Sequence, residues 1–311
     1  MKNIFRKILP VSCGLLLIST GCTSTANEQT KSLNTTNVST TQNQLAGNTN
    51  TQIQPQTLQQ SETQPQLMGT NVSTTSDAQL KEQLIQKYQV PKQWGENIPG
   101  IKTRLATDAK VIALTFDACG GTNGSKYDAE LIYFLRQWGI PATLFINSRW
   151  IDANYLTFMA LSKIPLFEIE NHGTLHKPLS MNGKDAWGIK GTENVGQIVD
   201  EVLNNHRKIQ KLTGRAPKFF RSGTAFYDEV GVSIVGEIGE QVAGYNVLGD
   251  AGATFNRYQV RDALLNAKPG SIALLHMNHP EGETAEGVKL AVPELIKRGY
   301  RFVRLEDYPL R

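Results

Sequence analysis

The sequence predicts an α/β fold, a distorted or incomplete (β/α) barrel, and two observations support that prediction. First, short apolar runs of strand length alternate with helical patterns from residue 110 to the end of the chain. Strands that alternate with helices build a parallel sheet covered by helices. Second, the Gly-rich segment "CGGTNGS" after the first strand lacks the spacing of a dinucleotide fingerprint and the ending of a phosphate-binding loop. An open doubly wound sheet is therefore the weaker alternative.

The elements follow in a regular order along the chain. A capping-box pattern, Ser76 to Gln79, predicts a first helix that Pro91 ends. The predicted strands are "VIALTFD", "ATLFIN", "PLFEIEN", "KFFR", "VAGYNV" and "SIALLHM", with a last strand after the helix in "AVPELIKRGYRFVRLED". Apolar residues at helical spacing predict further helices, namely Tyr127, Leu131, Leu135 and Trp138, the stretch 155–161, and Val195 to Ile209.

The N-terminal residues have the pattern of an export signal. A basic head is followed by an apolar run that is too short to span a membrane. The run ends at "STGC", which resembles a bacterial lipoprotein signal, so residues 1–21 are the expected signal peptide and Cys22 the expected lipid attachment site. An ordinary secretory signal is the alternative, because Ser19 stands where such signals prefer Leu.

Residues 23–76 are rich in Ser, Thr, Asn and Gln and contain no aromatic residue. Such a composition buries too little apolar surface to fold, so a disordered tether is expected there.

The net charge of the chain is +4, and three of its basic residues belong to the predicted signal. The rest of the chain contains no cluster of basic residues, so nucleic acid is not an expected partner. With Cys13 and Cys22 assigned to the N-terminal segment, Cys119 is alone and no internal disulfide is expected.

Ionisable residues stand at the ends of five predicted strands. These residues are Asp117, His172, Arg221, Asp250 and His276. In a β/α barrel the carboxyl ends of the strands carry the working residues. A charge in that position is costly unless it is paired or bound to a metal. The sequence therefore predicts an active site at this end of the barrel.

His172 and His176 lie four residues apart in "HGTLH", a spacing that brings two imidazoles to one side of a helix or tight turn. Taken alone, the pair is compatible with a metal site or with two solvated histidines. The segment lacks the Glu of the HExxH zinc-protease pattern. A zinc site would also need a third protein ligand and an open position for water.

Five segments in this order resemble the motifs of polysaccharide deacetylases, the NodB-homology carbohydrate esterases: "LTFDACGG", "EIENHGTLHKPLS", "FFRSGTAFY", "GDAGATF" and "GSIALLHMNH". The resemblance implies a catalytic domain over 110–311, preceded by a helix and connecting segment over 77–109. It implies a distorted barrel and a divalent metal, with zinc expected first and cobalt, nickel or manganese as alternatives. By motif position it implies these roles: Asp117 as base, His172 and His176 as metal ligands, Arg221 orienting the base, His276 as general acid, and Asp250 tuning His276.

One position departs from the family pattern. The family has two adjacent aspartates, base then metal ligand, and here the second is Ala118. Asp117 is expected to act as base or to be shared with the metal. Asp128, Glu170 and the soft donor Cys119 are the other candidates for the missing ligand. Cys119 is otherwise interpreted as a small buried residue, and His206 as a packing residue on its helix.

The resemblance implies removal of N-acetyl groups from an extracellular or cell-wall glycan, such as peptidoglycan, by a secreted, lipid-anchored enzyme. The first alternative is a degenerate module that binds glycans without cleaving them, with Ala118 as the mark of a lost metal. Hydrolysis of another amide or ester is the second. Trp187, Asn278 and His279 are candidate substrate contacts, Trp187 through stacking on sugar rings.

Overall fold

The structure, a computed structural model, describes residues 76–88 and 90–311. These residues belong to one compact unit, Thr70–Arg311. The predicted signal over 1–21, the attachment site Cys22 and nearly all of the predicted tether lie outside the described residues.

Eight α-helices occur in the described part of the chain: α1 Asp77–Lys87, α2 Ala129–Gln137, α3 Ser148–Ala153, α4 Tyr155–Leu161, α5 Val195–Thr213, α6 Glu229–Ile238, α7 Arg257–Leu265 and α8 Thr284–Lys297. The capping box predicted for the first helix is present. The Ser76 hydroxyl accepts from the Gln79 amide at 3.2 Å, and the Gln79 side chain accepts from the Ser76 amide at 2.9 Å. Leu84 buries the inner side of α1 in one core cluster with Val195 and Ile198 of α5.

Ten strands occur in the same part of the chain: β1 Val111–Ala118, β2 Ala142–Ile146, β3 Phe167–Asn171, β4 Asp185–Ala186, β5 Ile189–Lys190, β6 Phe219–Phe220, β7 Gln241–Val242, β8 Val247–Leu248, β9 Ser271–His276 and β10 Arg301–Val303. Eight of them form one parallel sheet in the order β7-β6-β3-β2-β1-β9-β8, with β10 paired to the first residues of β1. The short β4–β5 hairpin stands apart as an antiparallel pair. The predicted (β/α) architecture is confirmed.

The segment "VAGYNV", predicted as one strand, is two. Its first residue ends β7 at one edge of the sheet, and its last residue begins β8 at the other edge. Residues 243–246 cross between these edges. The Ala243 amide donates to Phe220 on one side, and the Asn246 amide donates to Ile272 on the other. Since four residues span at most about 14 Å, the sheet is curled until its edges nearly meet. The barrel is therefore distorted and incomplete.

Alternation along the strands separates the two faces of the curled sheet. In β1, Leu114, Phe116 and Ala118 belong to the core cluster beneath the helices. Ala113 belongs to a different cluster inside the curl, together with Phe145. Odd-numbered residues of β1 therefore face the interior of the barrel.

Trp138 was predicted on a core stripe, and that prediction is wrong. Helix α2 ends at Gln137, so Trp138 occupies the C-cap, where its side chain is 49% exposed and lies against Phe134.

Across the described ranges, 76–88 and 90–311, no helix combines the length and apolar character that crossing a membrane requires.

Candidate active site

The carboxyl ends of the parallel strands bring the predicted site residues to one end of the barrel. Asp117 is paired in register with His276, the last residue of β9. His172 and Arg221 directly follow β3 and β6, and Asp250 lies two residues after β8. The expected convergence of these five residues at strand ends is therefore present.

Arg221 holds Asp117 from inside the barrel. Its guanidinium is fully buried and donates to Asp117 Oδ1 at 2.8 Å and to the Thr115 hydroxyl at 2.9 Å. A third hydrogen bond runs from Nε to the Ala243 carbonyl at 3.1 Å, and the guanidinium also lies over the Phe145 ring. A buried charge with this many partners is stable in place. One carboxylate oxygen of Asp117 is therefore fixed, and Oδ2 points to His172 at 3.7 Å from Nε2.

The tautomer of His172 follows from its hydrogen bond. Nδ1 lies 2.9 Å from the Arg221 carbonyl oxygen, which can only accept, so Nδ1 carries the proton. In the neutral ring Nε2 then has a free lone pair, the form in which histidine binds metals. Burial lowers the pKa of His172, but the charge of Asp117 and the nearby Cys119 outweigh burial and raise it above its ordinary value.

His176 presents a buried nitrogen with no partner. Its backbone has φ 62°, a left-handed conformation that is costly for a residue with a Cβ. Its ring lies edge-on to that of His172, with centroids 4.9 Å apart. Nε2 of His176 is buried and has no hydrogen-bond partner among the described residues. An unpaired buried polar atom costs free energy unless something else binds it.

The carboxylate of Glu201 on α5 holds the loop that carries these two histidines. It accepts hydrogen bonds from the amides of Leu175 at 2.9 Å and Lys177 at 3.1 Å. Burial raises the pKa of Glu201 to about 7, although the backbone donors act in the opposite direction. Gly223 packs directly against the same loop, and any larger residue would clash, because a Cβ there would lie 2.3 Å from the carbonyl oxygen of His176. These contacts explain how a strained conformation persists at His176.

Cys119, one of the candidates for the missing ligand, lies beside the histidines. Its sulfur lies 3.8 Å from Nε2 of His172. Among the described residues, Cys119, His172 and His176 are the one group whose ligand atoms all lie within 4.8 Å of one another. Burial raises the pKa of the Cys119 thiol. The charge of His176 and the hydrogen bond with His172 act in the opposite direction and outweigh burial, so the pKa lies well below its usual range.

Two other acids that were candidates for the missing ligand are used elsewhere. Asp128 caps α2 by accepting from the Leu131 amide at 2.9 Å. Glu170 accepts from the amides of Lys218 and Phe219 at 2.8 and 2.7 Å. Both carboxylates therefore satisfy backbone donors, and neither belongs to the group of three.

His276 and Asp250 form a tight pair at the end of β9, and His276 lines the same cavity as His176. Asp250 accepts from the ring Nδ1 of His276 at 2.8 Å, from its backbone amide at 2.7 Å and from the Thr284 hydroxyl at 3.0 Å. Burial lowers the pKa of His276, but the charge of Asp250 raises it well above the ordinary value. Burial raises the pKa of Asp250, yet the charge of His276 lowers it below the ordinary value. The pair therefore favours a charged imidazole.

The site opens into a cavity of about 860 Å³ whose wall includes Asp117, Cys119, His176 and His276. At its rim Trp187 is 77% exposed, stands at the tip of the β4–β5 hairpin, and packs edge-on against Phe226.

The other candidates near the strand ends differ in their surroundings. His279 lines the cavity, whereas Asn278 is fully buried with both of its polar side-chain atoms unpaired among the described residues. His206 is buried on α5, as predicted, and its Nδ1 lies 2.6 Å from the carboxylate of Glu240.

The fold and the site define a class of protein, and a comparison with family models identifies it. Residues 104–243 match the model of the polysaccharide deacetylase family. This part of the chain is therefore a polysaccharide deacetylase domain, and the predicted resemblance and the assignment to the deacetylase hydrolases are confirmed. The match begins before β1 and ends after β7, so Asp250 and His276 follow it in the chain.

Three particular proteins show what the chain is similar to. A peptidoglycan-N-acetylglucosamine deacetylase of Bacillus cereus is 26% identical over 208 residues, which are 65% of this chain and 90% of that protein. The solved structure of a family 4 acetyl xylan esterase from Clostridium thermocellum, in complex with a cobalt ion, has 25% identity and a TM-score of 0.52, covering 64% and 89%. A family 4 pseudoenzyme from Bacillus anthracis shares the fold with 20% identity and a TM-score of 0.55, covering 68% and 69%.

Proposed function

We propose that this protein is a metal-dependent hydrolase that removes N-acetyl groups from a cell-wall or other extracellular amino-sugar polysaccharide. One observation supports this most directly. His172 and His176 offer ring nitrogens within 4.8 Å of each other, His172 lies next to Asp117, and His276, paired with the Asp250 carboxylate, lines the same cavity as His176. Hydrolysis of an amide needs both groups of residues, because the carbonyl must be activated and the leaving amine must be protonated.

The residues present fit a divalent metal. The orphaned Nε2 of His176 and the lone pair of His172 Nε2 are nitrogen donors of the kind that zinc and cobalt prefer. When bound there, such an ion would polarise the acetyl carbonyl and lower the pKa of a water molecule. The cobalt ion in the structure of the Clostridium thermocellum relative supports this choice of cofactor.

Asp117 is assigned as the base that takes the proton from the attacking water. Its Oδ1 is fixed by Arg221, so Oδ2 is the oxygen free to accept that proton. The buried guanidinium orients the carboxylate and balances its charge. Asp117 was also considered as a shared metal ligand, but its oxygens lie outside the group formed by Cys119 and the two histidines.

His276 is assigned as the acid that protonates the leaving amine. Its Nδ1 faces Asp250, so the proton for the amine comes from Nε2. Because the carboxylate of Asp250 raises the pKa of His276, the ring is charged and able to donate at neutral pH. The products are acetate and a free amino sugar.

A wall glycan is the proposed substrate. The Bacillus cereus relative is named for N-acetylglucosamine in peptidoglycan, and the exposed ring of Trp187 offers an aromatic surface on which a sugar can stack. Export through residues 1–21 and a lipid anchor at Cys22 would bring the domain to such a substrate. Incorporation of radiolabelled palmitate that is lost in a Cys22→Ala variant would test the anchor.

The activity is tested by incubating the full chain with N-acetylglucosamine oligomers and with peptidoglycan, and measuring acetate and new amino groups together. We expect the two products in equal amounts, both abolished by a chelator and restored by zinc or cobalt.

The contrary outcomes separate the alternatives. Acetate without new amines would mean an O-acetyl esterase. Glycan binding without acetate under any metal would favour the degenerate binding module.

A further inference from the structure

His172 and His176 supply two of the three protein ligands that a catalytic zinc site needs. The identity of the third ligand is inferred here, and this inference rests on the proposed function. Ala118 stands where the family pattern places a ligand carboxylate. Its side chain is fully buried in the core cluster beneath the helices, with Leu114 and Phe116. The side chain of Ala118 therefore faces the core, whereas Asp117 and Cys119 line the cavity.

Cys119 supplies a donor from the correct side. Its sulfur lies 3.8 Å from His172 Nε2, and the ligand atoms of Cys119, His172 and His176 lie within 4.8 Å of one another. Around a tetrahedral zinc ion a thiolate sulfur and an imidazole nitrogen are separated by roughly 3.6 Å. The three donors therefore need to move by only small amounts to share one ion.

The three donor atoms are also free to bind. Nδ1 of His172 is occupied by the Arg221 carbonyl, which leaves Nε2 available. Nε2 of His176 is buried and has no hydrogen-bond partner within residues 76–88 and 90–311, so a bound ligand would compensate its lost hydration. Asp117 differs, because its oxygens lie outside this group of ligand atoms that are all within 4.8 Å of one another.

We propose that the thiolate of Cys119 is the third protein ligand of the metal and takes the place of the carboxylate absent at Ala118. A thiolate carries the same single negative charge as a carboxylate, so the net charge of the site is unchanged. As a soft donor it favours zinc and cobalt over manganese or magnesium. Asp117 then remains free to act as the base, and the fourth position remains open for water.

The test is the absorption spectrum of the full chain after removal of metal and titration with Co²⁺. A cysteine ligand gives a thiolate-to-cobalt charge-transfer band in the near ultraviolet. We expect this band at one equivalent, its loss in Cys119→Ser, and a cobalt affinity in that variant lowered by at least about tenfold. Since Cys13 and Cys22 are also in the chain, Cys119→Ser is the variant that assigns the band.

A further variant acts as a matched control. Cys119→Asp should bind cobalt without the band, which shows that the fold and the other ligands are intact.

The outcomes also separate this inference from the proposed function. A cobalt-loaded protein that releases acetate without a charge-transfer band would overturn the ligand assignment and leave the function intact. A band that depends on Cys119, without acetate release from any glycan, would support the ligand and contradict the function. Failure of the wild-type chain to bind cobalt at all would overturn the ligand assignment directly.

Discussion

Two groups of residues lie at the same cavity, and they differ in how completely the protein satisfies their polar atoms. In the paired cluster, Asp250 and His276, the carboxylate accepts three hydrogen bonds at 2.7 to 3.0 Å. In the open cluster, Cys119, His172 and His176, one buried ring nitrogen has no partner in the described part of the chain, and the sulfur lies 3.8 Å from Nε2 of His172.

This difference separates a proton donor from a metal site. A proton donor needs a fixed orientation and a shifted pKa, and the protein provides both through Asp250. A metal site needs lone pairs directed at one point and left unused by the protein itself. An unsatisfied buried group beside a fully satisfied one therefore indicates a missing ligand more strongly than either group does alone.

The largest effect is expected from breaking the paired cluster. His276→Ala removes the proton for the leaving amine, and general acid catalysis contributes roughly 10²- to 10⁴-fold. We expect turnover to fall by that factor while zinc content, measured on the purified protein, stays at the wild-type level. Full turnover in this variant would refute the acid assignment, and loss of zinc would mean that the two clusters are not separate.

A smaller effect, and a pH dependence, are expected from the carboxylate that holds the open cluster. The pKa of Glu201 is about 7 in the folded protein, whereas a glutamate in the unfolded chain has its ordinary value of 4.5. The folded state therefore keeps this proton over a range in which the unfolded state loses it. The contribution of Glu201 to the free energy of unfolding is therefore greatest below pH 4.5, falls by up to about 3 kcal/mol as the pH rises to 7, and then stays level.

Glu201→Gln removes that titration, because the amide stays neutral. Chemical unfolding of both proteins across this range should show the wild type losing stability relative to the variant as the pH rises. Parallel curves for the two proteins would contradict the assignment to Glu201.

The smallest effect is expected at the rim, outside both clusters. Trp187→Ala removes a stacking surface worth about 0.5–1.5 kcal/mol, so KM for a glycan oligomer should rise roughly 2- to 10-fold with little change in kcat. Trp138→Ala is the matched control, since Trp138 is also exposed but does not line the cavity. An equal change in both variants would mean that the effect is not contact with substrate.

Most elements of the barrel could be predicted because their signals are local. The apolar run of β1 and the helical stripe of α5 lie where the sequence placed them. The β4–β5 hairpin was missed because each strand has two residues, too few for a period to appear. The division of residues 241–248 into β7 and β8 was also missed, because it depends on how far the sheet curls.

The site could be predicted in part. The strand-end positions of Asp117, His172 and His276 followed from apolar runs that stop at a charged or imidazole residue. The sequence left Cys119 as one of several candidates for the missing ligand, because the two histidines are more than 50 residues away in the chain. Only the folded chain brings its sulfur to 3.8 Å from Nε2 of His172.

The sequence by itself determined the alternation of strands and helices and the chemical groups at the strand ends. Both depend on periods of 2.0 and 3.6 residues that any short window contains. The tertiary structure alone decided which groups meet: Asp250 with His276, Glu201 with the histidine loop, and Cys119 with His172 and His176. These contacts join distant segments, so their distances exist only once the sheet has curled and the strands have taken their register.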